Sequence, residues 1–244
     1  MLHISKKYRR GYLGEEIIVE RKLENGMWTT TTETVPSRVV NRQISNTAIV
    51  VGNGTNRLGF DLQNFKKPSG LLGARTVQTY GCNALYRDFE PDFLAAVGNN
   101  GIIPEIANSR YTDSHIVYSS AIHLLEHPGK FYLIPHDIYA DAGTTAAYLA
   151  AFDEHKKIYL LGFDGHEPGW NNNVYAGTRG YDAKDFNIDH TEWITNRKQL
   201  FDVYDEVDWV WVTPKGTNLI PEPLQSCLNL RQIDFRQLVL ECDL

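Results

Sequence analysis

Short apolar runs, each closed by glycine with asparagine or aspartate, recur along this chain. The first, Ala48-Ile49-Val50-Val51, stops abruptly at Gly52-Asn53-Gly54-Thr55-Asn56. Four consecutive apolar residues, with β-branching at the last three, suit a strand covered on both faces, as in a parallel sheet. Residues 76–80 form a second run, closed by Gly81-Cys82-Asn83; residues 92–97 a third, closed by Gly98-Asn99; residues 156–161 a further one, closed by Gly162-Phe163-Asp164-Gly165. Further strands are predicted at 115–118, 131–134 and 208–213, where Trp209 and Trp211 fall on one face and read as core. Helices are predicted at 102–108, 119–126, 142–152, 191–204 and 235–240, and residues 60–73 read as irregular. Strands alternating with helices imply an α/β fold: a Rossmann-like, mainly parallel sheet with helices on both faces and inner strands at 49–51, 76–80 and 158–161.

The ends of the pattern differ from its middle. Residues 15–22 and 27–34 are rich in β-branched residues around Asn25-Gly26, a strong hairpin turn signal, so residues 1–45 are expected to form an N-terminal β-hairpin extension. Its second strand, Trp28-Thr29-Thr30-Thr31-Thr32, has no apolar stripe and could add to a neighbour's sheet, which would make a homo-oligomer. Residues 46–244 are expected to form the main domain. Within it, residues 165–189 are long, polar and aromatic without a regular period, the mark of a lid or binding loop.

Composition narrows the function. The 244 residues, 42% hydrophobic, can fill one large core, and the net charge of −6 argues against a broad basic face for nucleic acid. Cys82, Cys227 and Cys242 are far apart and lack metal-ligand spacing, which reads as reduced thiols in a cytoplasmic protein. The basic N-terminus lacks the apolar stretch of a signal peptide, and no run is long enough to span a membrane.

Candidate chemistry gathers at the closing turns. In open α/β sheets ligands bind at the carboxyl ends of the strands, so Gly52 and Gly54 would let backbone approach a ligand, and Asn53 and Thr55 would supply amide and hydroxyl groups. Arg57 stands where a dinucleotide fingerprint has its third glycine, and no Gly-Lys-Ser/Thr follows, so neither NAD-type turn nor Walker loop is indicated. The alanine-rich helix beginning near Gly143 and Thr144 would offer free N–H groups to an anion. Asp164 reads equally as a ribose or metal ligand and as a loop cap, and Asn83 as a ligand contact or a turn cap. Among eight histidines, His190 is the candidate base or else an N-terminal helix neighbour; His136 and His166 are its rivals. The pairs His136/Asp137 and Asp164/His166 lack a third metal ligand at convincing spacing.

Val51-Gly52-Asn53-Gly54-Thr55, Cys82-Asn83, the Gly143 helix with its Ile158-Tyr159-Leu160-Leu161-Gly162-Phe163-Asp164 strand, and a distal histidine before a helix resemble the bacterial family 42 sialyltransferases. The pattern is also similar to the wider superfamily of MptE-like proteins, with its flagellin glycosyltransferases and archaeal 6-hydroxymethylpterin diphosphokinases. It runs in order from about residue 47 to about residue 214. The resemblance implies a glycosyltransferase that moves a sugar from a nucleotide-activated donor, CMP-linked in the first instance, to a glycan or other hydroxyl acceptor, with no cofactor required. It implies donor contacts from Asn53 and Asn83, carboxylate or phosphate contacts from Gly143 and Thr144, a lid tyrosine at Tyr175 and a general base at His190. Ala142 stands where the family has serine, and Thr55-Asn56 where it has Pro-Ser, so the sugar stays open. Two alternatives accompany this reading: an ATP- and Mg²⁺-dependent diphosphokinase using Asp164, and a nucleotide-binding or assembly protein without turnover.

Overall fold

A computed structural model describes residues 2–10, 15–36, 45–67, 76–98, 101–135, 138, 140–164, 172–183, 190–216 and 220–244. Its N-terminal part is a three-stranded antiparallel sheet, β1 (Leu2–Arg10), β2 (Glu15–Glu24) and β3 (Met27–Pro36). The Asn-Gly hairpin is there, with positive φ at Asn25 and Gly26 as a tight primed turn requires. The extra strand corrects the two-strand expectation. Its register sets Arg9 opposite Glu16 and Arg10 opposite Glu15.

The main sheet comprises β4 (Thr47–Val51), β5 (Gln78–Cys82), β6 (Phe93–Ala96), β7 (Ile116–Ser119), β8 (Tyr132–Leu133), β9 (Lys157–Leu161), β10 (Asp208–Thr213) and β11 (Leu230–Asp234). These eight strands are parallel throughout and lie in the order β11-β10-β9-β4-β5-β6-β7-β8. The chain builds outward from β4 to β8, then crosses back to place β9 on the other side of β4. The direction of winding therefore reverses between β4 and β9.

Among the described residues, six α-helices cover the sheet: α1 (Ile102–Asn108), α2 (Tyr111–Ser114), α3 (Ala121–Glu126), α4 (Ala142–Phe152), α5 (His190–Val203) and α6 (Phe235–Cys242). Along β4, Ile49 and Val51 face a core completed by α1, α3 and α6, while Ala48 and Val50 face one completed by α4 and α5. This is the period-2 alternation of a strand buried on both sides. Residues 144–151 of α4 are all buried, and its alanines let the helix lie close on β4, β5, β6 and β9.

Several boundaries differ from those read in the sequence. β5 runs to Cys82, so Gly81 and Cys82 belong to the strand; no Cβ fits at Gly81, where it would stand 2.3 Å from Leu85. Residues 62–66 form a 3-10 turn capped by Asp61. β11 and α2 had no counterpart in the sequence reading. All three cysteines are free and buried.

Candidate functional site

The turn after β4 is shaped by its neighbour β9. Gly52 N–H donates to Leu161 O at 2.8 Å and Gly54 N–H to Gly162 O at 2.9 Å, so the ladder continues past the strand end. A Cβ at Gly52 would stand 2.3 Å from Gly162 O, and one at Gly54 1.7 Å from Asp164 Oδ1. The glycines are needed first for this close approach of two protein segments. The Asp164 carboxylate then holds the following turn: Oδ2 accepts from Thr55 Oγ1 at 3.0 Å and from Asn56 N at 2.9 Å. Its other oxygen, Oδ1, is buried without a partner among the described residues, and burial raises the carboxyl's pKa.

At the carboxyl ends of β4, β5 and β9, where the winding reverses, lies a cavity of about 790 Å³. Of the residues singled out in the sequence, Gly52, Asn53, Gly54, Asn83, Gly143, Asp164 and His190 line it, although they span 138 positions (190 − 52). Thr55, Thr144 and Tyr175 lie behind its wall. Asn53 Oδ1, like Asp164 Oδ1, is buried and unpaired among the described residues. Both residues line the cavity, and an unmet acceptor carries a desolvation cost that a hydroxyl donor relieves.

Asn83, expected to touch a donor, has its amide committed elsewhere. Its backbone sits at φ 45°, in the left-handed region that asparagine tolerates. From there Nδ2 donates to Val97 O and Oδ1 accepts from Val97 N, each at 3.0 Å, which ties the end of β5 to the end of β6. Asn83 thus caps the turn and also borders the cavity.

The start of α4 also differs from expectation. Asp141 is its N-cap, and Oδ1 accepts from Gly143 N at 3.0 Å and Thr144 N at 3.1 Å while Oδ2 accepts from the Thr144 hydroxyl. These N–H groups are therefore occupied by a protein carboxylate. Arg197 completes the corner: Nε donates to Thr144 Oγ1 at 3.1 Å, Nη2 lies 3.5 Å from Asp141 Oδ1, and the guanidinium sits 5.1 Å from the centre of the Phe163 ring. Sequence reasoning missed both residues. The signal for Arg197 was its spacing: His190, Trp193 and Arg197 follow one another at three and four residues, which places all three on one face of a helix.

His190 is the first residue of α5, not a loop residue before it, and is 7% exposed. Its ring meets Trp193 edge-on at 4.9 Å, and both line the cavity. His136, Asp137 and His166 lie outside the described residues.

The described portion of the segment expected to form a lid, residues 172–183, is fastened to the sheet. Val174 N donates to Asn53 O at 2.8 Å; Arg57 donates to the Tyr175 hydroxyl at 3.0 Å, and that hydroxyl donates to Asp88 at 2.7 Å. Tyr175 is thus a buried peg, its hydroxyl held between Arg57 and Asp88. Arg87 grips Glu105 through Nε and Nη2 at 2.8 and 2.7 Å and donates to Thr178 Oγ1 and Arg179 O at 2.9 and 2.8 Å. Asn172, Asn173, Thr178, Tyr181 and Asp182 from this segment face the cavity.

Comparison with protein-family models, with curated proteins and with solved structures finds no match to this chain. Among the described residues no helix is long and apolar enough to cross a membrane, and no group of three His, Cys, Asp or Glu side chains could hold a metal ion.

Proposed function

We propose that the chain is a Rossmann-like transferase that moves a sugar from a nucleotide-activated donor, CMP-linked in the first instance, to an acceptor hydroxyl. The observation that carries this reading is that His190 and the Gly52-Asn53-Gly54 turn line one cavity at the reversal of strand order. Counted from β4, the eight strands lie in the order 5-4-3-2-1-6-7-8, which reverses between the first and the sixth, and open α/β sheets bind ligands at such a switch point. The resemblance to family 42 sialyltransferases supplies the chemistry. Asn53 Oδ1 and Asp164 Oδ1 accept from ribose or sugar hydroxyls. His190 takes the proton of the acceptor hydroxyl as its oxygen bonds to the sugar carbon and the bond from that carbon to the nucleotide phosphate breaks.

A second reading, the diphosphokinase-like one, is favoured by the acidity of the wall, where Asp141, Asp164 and Asp182 outnumber Arg197. There Asp164 Oδ1 would share Mg²⁺ with substrate phosphates, the usual way this ion is held.

Thermal melting with CMP, CDP, UDP, GDP, ADP and ATP, each with and without Mg²⁺, tests these readings. CMP at about a hundredfold excess over its Kd is expected to stabilise the protein by about 2.7 kcal/mol without metal. Stabilisation by ATP alone, and only with Mg²⁺, would transfer the case to the second reading. CMP binding without release of CMP from any CMP-sugar would leave a nucleotide-binding protein without turnover.

A further inference from the structure

The cavity is electrically uneven, and its positive corner lies at Arg197. We infer that Arg197 is the anion anchor of this cavity, holding a ligand oxyanion, phosphate or carboxylate, while Asn53 and Asp164 take the hydroxyls. This rests on the nucleotide-donor reading above and names the residue that would hold the donor's charged group.

Arg197 is 6% exposed, so its guanidinium has left water, a step that costs several kcal/mol unless an opposite charge compensates. Compensation within the protein is incomplete. Its bonds among the described residues are Nε to the Thr144 hydroxyl and one long contact, 3.5 Å, from Nη2 to Asp141. The shorter bonds to the Asp141 carboxylate come from Gly143 N, Thr144 N and the Thr144 hydroxyl. Nη1 makes no hydrogen bond among the described residues, and the side chain borders the cavity. A charge count points the same way: Arg197 contributes +1, Asp141 −1, and the start of α4 about +0.5 from its aligned peptides. This corner keeps a positive excess, whereas the Asp164 wall is negative.

Position adds a further argument. Arg197 lies two turns of α5 beyond His190 and on the same face. One helix face therefore presents the candidate base and the anion anchor together. In the transfer reaction the bond to phosphate breaks and charge gathers on the leaving oxygen, where a fixed guanidinium acts more strongly than water would. Arg can meet that oxyanion with two parallel N–H bonds, which a lysine cannot.

The test compares CMP, cytidine and inorganic phosphate on the wild type, Arg197→Lys and Arg197→Gln, by calorimetry, with and without Mg²⁺. Circular dichroism and melting confirm folding of each variant, which is expected because Asp141 keeps its helix-start partners. Arg197→Gln is expected to lose about 10- to 100-fold in CMP affinity, the scale of a hydrogen bond to a charged group, with cytidine unchanged. Arg197→Lys should fall between. If the wild type binds CMP and Arg197→Gln binds it equally well, or CMP binding needs Mg²⁺ and ignores Arg197, the anchor is wrong and the nucleotide reading stands. Equal loss of CMP and cytidine would make Arg197 a support of the cavity and overturn the anchor. Phosphate binding that depends on Arg197, in a wild type that ignores CMP and cytidine, would keep the anchor and remove the nucleotide. Binding of none of the three would remove both.

Discussion

The two ends of the sheet each bury a polar cluster; one is closed by a hydrogen bond from tyrosine to carboxylate, although His155 Nδ1 there has no partner among the described residues, and the other is open. At the amino end, Tyr80 OH donates to Asp153 Oδ2 at 2.6 Å and meets His155 Nε2 at 3.1 Å. The Tyr80 proton goes to Asp153, so His155 Nε2–H donates to the Tyr80 oxygen. Asp153 and His155 follow the last turn of α4, so this cluster lies at the far end of that helix from the cavity. At the carboxyl end, Asn53 Oδ1 and Asp164 Oδ1 are equally buried yet find no partner among the described residues. A closed cluster stabilises the fold. Buried acceptors left open cost stability, and a ligand that donates to them returns it. Substitutions should therefore register in stability at the amino end and in binding and turnover at the carboxyl end.

The largest expected effect is at the open end. His190→Ala should retain nucleotide affinity and lower turnover by about 10²–10⁴, the range for loss of a general base, measured as CMP released from a CMP-sugar. An unchanged rate, or a loss of affinity in place of rate, would remove His190 from the reaction and break the functional half of the comparison.

Next comes the pH dependence of the closed end. Burial pushes the His155 imidazole down to about 4 from its ordinary 6.5. With the folded value below the unfolded one, the unfolded chain takes up the proton first. The contribution is full above pH 6.5 and is lost as pH falls towards 4, in total about 3 kcal/mol. Urea unfolding between pH 4 and 7 should show this slope in the wild type and a flatter one in His155→Gln. Parallel curves would show that the His155 proton plays no part in the loss.

The smallest effect sharpens the contrast most. Tyr80→Phe should cost about 1–3 kcal/mol, since Asp153 and His155 are left buried without their shared hydroxyl. Asn53→Ala should change stability by no more than about 0.5 kcal/mol, because Oδ1 has no partner to lose among the described residues and its backbone bond to Val174 survives. The same variant should weaken nucleotide binding by about 1–3 kcal/mol. A pair of denaturation curves in which Asn53→Ala is the more damaging would invert the comparison.

The apolar pattern by itself determined the inner architecture. The run ending at Val51 and that ending at Leu161 are so apolar because both faces of β4 and β9 are covered, and the alanines of α4 mark a helix pressed against them. β11 escaped notice for the converse reason. At the edge of the sheet only Ile233 of its five residues is buried, so Leu230–Asp234 carries no apolar run. The candidate site was legible as a set of strand ends, because glycine and amide residues mark them in sequence. Which of those amides is tied to a neighbouring strand was not. Asn53 and Asn83 have the same chemistry and similar flanks; one stays open while the other is tied to Val97, and the difference arises from β6 lying beside β5. Asp141 caps α4 from the adjacent position, but only the tertiary structure brought Arg197 beside it, 56 positions later (197 − 141), since charge balance in a buried corner depends on groups that meet through packing and not through sequence.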